Sequence, residues 1–143
     1  MRKRVYIASK FGLMEEEVQR LRVSIEKLGH RIIYDWTEHP IPKPFEEHIK
    51  EATKAAEAMA QAVMNCDILI VLPAERGVGL HIETGGAMVA SIILTFILGT
   101  PVKEIYIVGE QNDRSAFYFH ESVTRVPNID SLLDILSANI QSP

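Results

Sequence analysis

Five consecutive apolar residues, Ile68, Leu69, Ile70, Val71 and Leu72, preceded by an amphipathic helical stripe and followed by a long apolar segment, constrain this fold most. A strand with no polar side must be buried on both faces, and a parallel sheet covered by crossover helices achieves that. The rest of the chain repeats the alternation. Val5-Tyr6-Ile7-Ala8 is a short run of strand formers, and residues 31–35, 105–108 and, as a short fifth, 116–119 read as further strands. Met14, Val18, Leu21, Ile25 and Leu28 recur at spacings of four and three, placing them on one face of a helix that Gly29 can end. Phe45, Ile49, Ala52, Ala56, Met59 and Val63 do the same for a second helix, after Pro40, Pro42 and Pro44 have broken regular structure. A closing helix is expected over 129–140. Strand and helix alternate throughout, which predicts one doubly wound α/β domain over 1–143, of Rossmann-like or flavodoxin-like type, with four to five parallel strands.

Composition narrows the partners. A net charge of -4 gives no electrostatic footprint for a nucleic-acid polymer. The single cysteine, Cys66, allows no disulfide framework and reads as core packing. The basic start, Met1-Arg2-Lys3-Arg4, precedes an apolar stretch too short for a signal peptide, so a cytoplasmic protein is expected. Residues 85–102 carry no charge, but their unbroken apolar part has the length of a buried helix, so no membrane span is expected. The segment 83–98 is apolar on nearly every side and predicts burial all round. In a chain of this size that implies cover from a second copy, a homodimer or higher oligomer.

In open α/β sheets ligands bind beyond the carboxyl ends of the strands, so the loops after them are where chemistry belongs. They hold Ser9-Lys10-Phe11-Gly12, Asp35-Trp36-Thr37-Glu38-His39, residues 75–86 and residues 109–114. The third is the most unusual, with Gly77, Gly79, Gly85 and Gly86 around His81 and Glu83. Glycines there let backbone approach a ligand closely. The segment is not a dinucleotide fingerprint, because Ile82 stands where the third glycine belongs, and no Gly-Lys-Ser/Thr follows as in a P-loop. His81 and Glu83 are two apart, and His30, His39, His48 and His120 complete no metal-ligand spacing, so neither metal nor cofactor is called for. Gly-x-Ser-x-Gly is absent.

Tyr6-Ile7-Ala8-Ser9, then Cys66-Asp67-Ile68-Leu69-Ile70-Val71, then Gly79-x-His81-x-Glu83-x-Gly85-x-Ala87 resemble the nucleoside 2-deoxyribosyltransferase superfamily, which includes 2'-deoxynucleoside 5'-phosphate N-hydrolases. The resemblance implies a flavodoxin-like sheet, oligomers with shared active sites, Glu83 as nucleophile and Tyr6 in the sugar pocket. It also implies an aspartate about two turns before strand three. Here that stretch reads Glu57-Ala58-Met59-Ala60-Gln61, leaving Glu57 as its acidic residue.

The chemistry of the residues supports the same role. A carboxylate at a helix start is stabilised in its ionised form, as a nucleophile requires. Below C1' of a sugar it can stabilise an oxocarbenium-like transition state and then bond to that carbon. Among the other candidates, Trp36 offers a ring on which a base could stack, and Ser9, Lys10, Phe11, Arg76, Gly77 and Gly79 lie where a sugar or 5'-phosphate would be held. Tyr118, His120, Ser122 and Arg125 form a later polar-aromatic cluster. The expected activity is cleavage or transfer of the N-glycosidic bond of a small-molecule (deoxy)nucleoside or its 5'-monophosphate through a glycosyl-glutamate. The competing readings are a non-catalytic nucleotide sensor on the same fold, or a hydrolase of another N-riboside.

Overall fold

The computed structural model describes residues 1–10, 14–74, 78–99 and 103–141. The sheet is built from β1 (Arg4–Ser9), β2 (Arg31–Ile32), β3 (Ile68–Leu72), β4 (Glu104–Val108) and β5 (Val123–Val126). All neighbours run parallel, in the order β2-β1-β3-β4-β5. The helices are α1 (Glu15–Lys27), α2 (Ile49–Asn65), α3 (Val78–Leu98) and α4 (Ile129–Gln141). α1 meets α4 while α2 meets α3, so each pair covers one face of the sheet. All five residues of β3 are buried, as a strand sandwiched between helix layers must be. The doubly wound α/β expectation therefore holds.

Three local expectations need correction. β2 pairs with β1 over only two residues, because Asp35 takes the backbone N–H of Thr37 at 3.0 Å and turns the chain into a 3-10 helix, Trp36–Glu38. Gln19 and Arg22 of α1 also donate to Asp35, at 2.9 and 2.7 Å. Burial pushes the Asp35 carboxyl up, but bonds from Thr37, Gln19 and Arg22 outweigh it and hold the group below its ordinary value. Ala116–Phe119 is a 3-10 turn capped by Ser115, and the fifth strand is Val123–Val126 instead. The third correction bears on the site: α3 begins at Val78, five residues before Glu83. Thr84 returns its hydroxyl to the Leu80 carbonyl at 2.6 Å, and Gly86 lies against Val63, letting α2 and α3 approach closely.

α3 is not buried all round within one chain. Leu80, Thr84, Ala87 and Met88 face inward, whereas Val78, Ile82, Val89, Ile93 and Phe96 are exposed. By length and composition alone this helix could cross a membrane, yet its inner side packs on α2 and on β1, β3 and β4.

Candidate active site

β1 and β3 are adjacent, but the chain leaves β1 toward β2 on one side and reaches β4 on the other. The order of connection reverses between them, so the loops beyond Ser9 and Leu72 diverge and leave a crevice. A cavity of about 730 Å³ opens there, lined by Ser9 at the end of β1 and Lys10 after it, by Tyr34, Trp36 and His39 after β2, and by Gly79 and Glu83 on α3. Its far wall is the apolar side of α2, including Ala52, Ala56, Met59 and Val63. The stripe that predicts α2 thus faces an open cavity along much of its length rather than a filled core. The volume is typical of a site that encloses a small ligand.

Glu83 is the one carboxylate among the described lining residues. The Tyr6 hydroxyl, fully buried on β1 behind it, donates to Glu83 Oε1 at 2.6 Å. Burial, only partly offset by the hydrogen bond from Tyr6, raises the Glu83 carboxyl to about 7. Tyr6 itself is pushed far above the ordinary phenol range, first by burial and then by the Glu83 charge, so it stays protonated as a donor. The expectation that a helix start keeps Glu83 ionised is corrected. The residue lies in the second turn, where the dipole has largely decayed, and burial decides its acidity.

The other expected site residues divide. Ser9, Lys10, Trp36 and Gly79 line the cavity with Glu83. Gly79 precedes Glu83 by one turn, so its missing side chain leaves room beside the carboxylate. The Ser9 hydroxyl oxygen is buried with no hydrogen-bond partner among the described residues. Trp36 is also a structural anchor: it is buried, and its indole N–H donates to the Ile7 carbonyl at 2.9 Å. Phe11, Arg76 and Gly77 lie outside the described residues.

His81 and His120 do not line the cavity. Residues two apart on a helix project from opposite sides, so as Glu83 faces the crevice His81 turns toward the β5 side. There its ring stacks on Tyr118, centroids 6.2 Å apart, with Nδ1 3.4 Å from the Tyr118 hydroxyl. His120 Nδ1 is 2.8 Å from the Ser122 hydroxyl. Glu57 is exposed, accepts from Gln61 at 3.5 Å and is not on the cavity wall, so it does not supply the acid that the resemblance places in this part of α2. Asp67 sits at the start of β3, away from the crevice, where it takes the Arg4 backbone N–H and guanidinium, each at 2.7 Å. Tyr34 and Lys43 are lining residues that sequence reasoning missed.

No protein-family model and no curated protein sequence matches the chain. Solved structures do match its fold. The CMP N-glycosidase BcmB of Clostridium botulinum superposes with a TM-score of 0.62 at 19% identity, covering 96% of this chain and 99% of that one. A 2-deoxyribosyltransferase from Bacillus psychrosaccharolyticus superposes with a TM-score of 0.59 at 17% identity, over 92% of this chain and 90% of that one. At such identities the likeness is one of fold: the chain has the doubly wound α/β fold of these two enzymes.

Proposed function

We propose that this protein cleaves or transfers the N-glycosidic bond of a nucleoside or nucleotide, with Glu83 as the nucleophile. The observation that carries the reading is the 2.6 Å bond from Tyr6 to Glu83 at the wall of a cavity sized for a small molecule. An oxygen of the Glu83 carboxylate bonds to C1' as the bond from C1' to the base nitrogen breaks, and the electron pair leaves with the base. Water or a second base then opens the glycosyl ester. Tyr6 keeps the carboxylate oriented and lowers the cost of its charge in a half-buried setting. The fold shared with an N-glycosidase and a deoxyribosyltransferase supports the same chemistry. Incubation with a panel of nucleosides, deoxynucleosides and their monophosphates should yield free base from at least one class. Binding without base release across the panel would favour a sensor and sink the enzymatic reading.

Ser9 and Lys10 are the candidate phosphate holders, the first with its unpartnered hydroxyl and the second with its ammonium at the cavity wall; Arg76 is expected to assist. Lys10→Ala should weaken a 5'-monophosphate by roughly 1.5–3 kcal/mol, the size of a charge-assisted hydrogen bond, while barely affecting the free nucleoside. Equal losses in the two KM values would assign Lys10 another role.

The protein also acts as a homodimer or higher oligomer in this reading, with the exposed side of α3 at the interface. Val78, Ile82, Val89, Ile93 and Phe96 lie along one helix, a contiguous apolar surface of a kind that soluble monomers rarely leave open. Light scattering should give a mass at least double the 16.1 kDa chain. A monomer at micromolar concentration would rule this interface out.

A further inference from the structure

Resting on Glu83 as nucleophile, we infer that His39 is the proton donor to the departing base. When the bond from C1' to a neutral purine or pyrimidine breaks, the electron pair stays on the ring nitrogen, and the resulting anion leaves slowly unless a proton reaches the base in the same step. The α2 wall cannot supply it, because every α2 residue on the cavity is alanine, valine or methionine. Glu83 cannot supply it either, since the form that attacks carbon has already lost its proton. The Trp36 N–H is committed to the Ile7 carbonyl. Lysine, tyrosine and serine side chains, the last including Ser9, hold their protons as classes too tightly to be efficient acids near neutral pH. Among the described lining residues that leaves His39, and imidazole is the side chain whose ordinary protonation change falls in this range.

Its placement suits the task. The His39 ring stacks on Tyr34 with centroids 5.6 Å apart and planes 12° from parallel, and the Tyr34 ring lies 6.4 Å from that of Tyr6, the partner of Glu83. Two ring contacts therefore link the histidine to Tyr6, whose hydroxyl holds Glu83, while His39, Tyr34 and Glu83 all line the same cavity. The loop is held from both ends: the His39 N–H bonds the Trp36 carbonyl at 3.1 Å, and Asp35 is anchored by Gln19, Arg22 and Thr37. As C1'–N breaks, the imidazolium proton passes to the base nitrogen, which keeps the electron pair and leaves as a neutral base. A Glu83 oxygen takes its place on C1'. Neutral His39 then accepts the proton of the attacking water as the glycosyl ester opens, restoring the starting state.

A leaving group that needs no proton provides the test. 7-Methyl-2'-deoxyguanosine 5'-monophosphate carries its positive charge on the base and departs neutral unaided, whereas the fastest natural monophosphate of the panel does not. In single-turnover measurements, which read base release before the ester opens, His39→Phe, which keeps a flat ring for Tyr34, and His39→Gln should each slow release from the natural substrate by about 10²- to 10⁴-fold while staying within about threefold of wild type on the methylated one. Equal losses on both substrates would make His39 a structural residue, and an unchanged natural rate would exclude it from the chemistry. If Glu83→Gln retains activity on both substrates, the nucleophile reading fails and this inference fails with it, an outcome distinct from the other two.

Discussion

Glu83→Gln should lower turnover by roughly 10³- to 10⁶-fold, the range seen when a nucleophile is removed, and should make the folded protein more stable above neutral pH. The kinetic loss follows because an amide has no charge to offset an oxocarbenium-like sugar and is a poor attacking group. The stability gain follows from the acidity of the site. Glu83 titrates near 7 in the folded protein against an ordinary value of 4.5, so the folded state holds this proton more tightly than the unfolded one. The stability associated with the protonated group is fully present below pH 4.5 and is lost as pH rises toward and through 7. Glutamine does not titrate and can still accept from Tyr6, so the variant escapes that loss, by up to about 3 kcal/mol at pH 8 and by little at pH 4. Denaturant unfolding at the two pH values measures this directly. A helix-capping glutamate would give the opposite result, a destabilised variant at pH 8 with its base-releasing activity intact. With a slow substrate analogue, mass spectrometry of the wild type should find the sugar on Glu83; an adduct elsewhere would refute the mechanism.

The parts of this molecule that sequence periodicity reveals are those where one side chain pattern meets one environment. Val18, Leu21 and Ile25 are buried where their spacing puts them, and β3 is buried as its composition requires. Periodicity finds an apolar face without saying what it meets. The α2 stripe has the pattern of a core helix, yet Ala52, Ala56 and Met59 look onto the cavity. The start of α3 was obscured for a different reason. Four glycines among residues 77–86 signal a loop, but the contact of Gly86 with Val63 and the packing of Leu80 and Ala87 override that weak propensity. Once residues 78–86 are helical, the separation of His81 from the Glu83 face follows from the spacing of two alone. Tyr34 was harder to see, since its place on the cavity depends on β2 pairing with β1 over only two residues, which a run of strand formers over 31–35 does not reveal.

Tyr6→Phe is expected to move the pH dependence of the reaction rather than abolish it. In wild-type protein the attacking form of Glu83 is the carboxylate, so kcat/KM should fall as pH drops below about 7, the value to which burial raises this group. The Tyr6 O–H at 2.6 Å stabilises the charged form and opposes burial. Phenylalanine fills nearly the same space on the buried strand but removes that donor, leaving the desolvation penalty unopposed. A hydrogen bond to a charged group contributes about 1.5–3 kcal/mol, so the acid limb of the profile should shift upward by about one to two pH units. At pH 6.5 the variant should therefore lose about 10- to 100-fold in kcat/KM, and much of that loss should disappear at pH 9, where the carboxylate forms even without its partner. An equal loss at both pH values would mean that Tyr6 acts through geometry alone. An unshifted profile with full activity would mean that the pair at 2.6 Å has no part in catalysis.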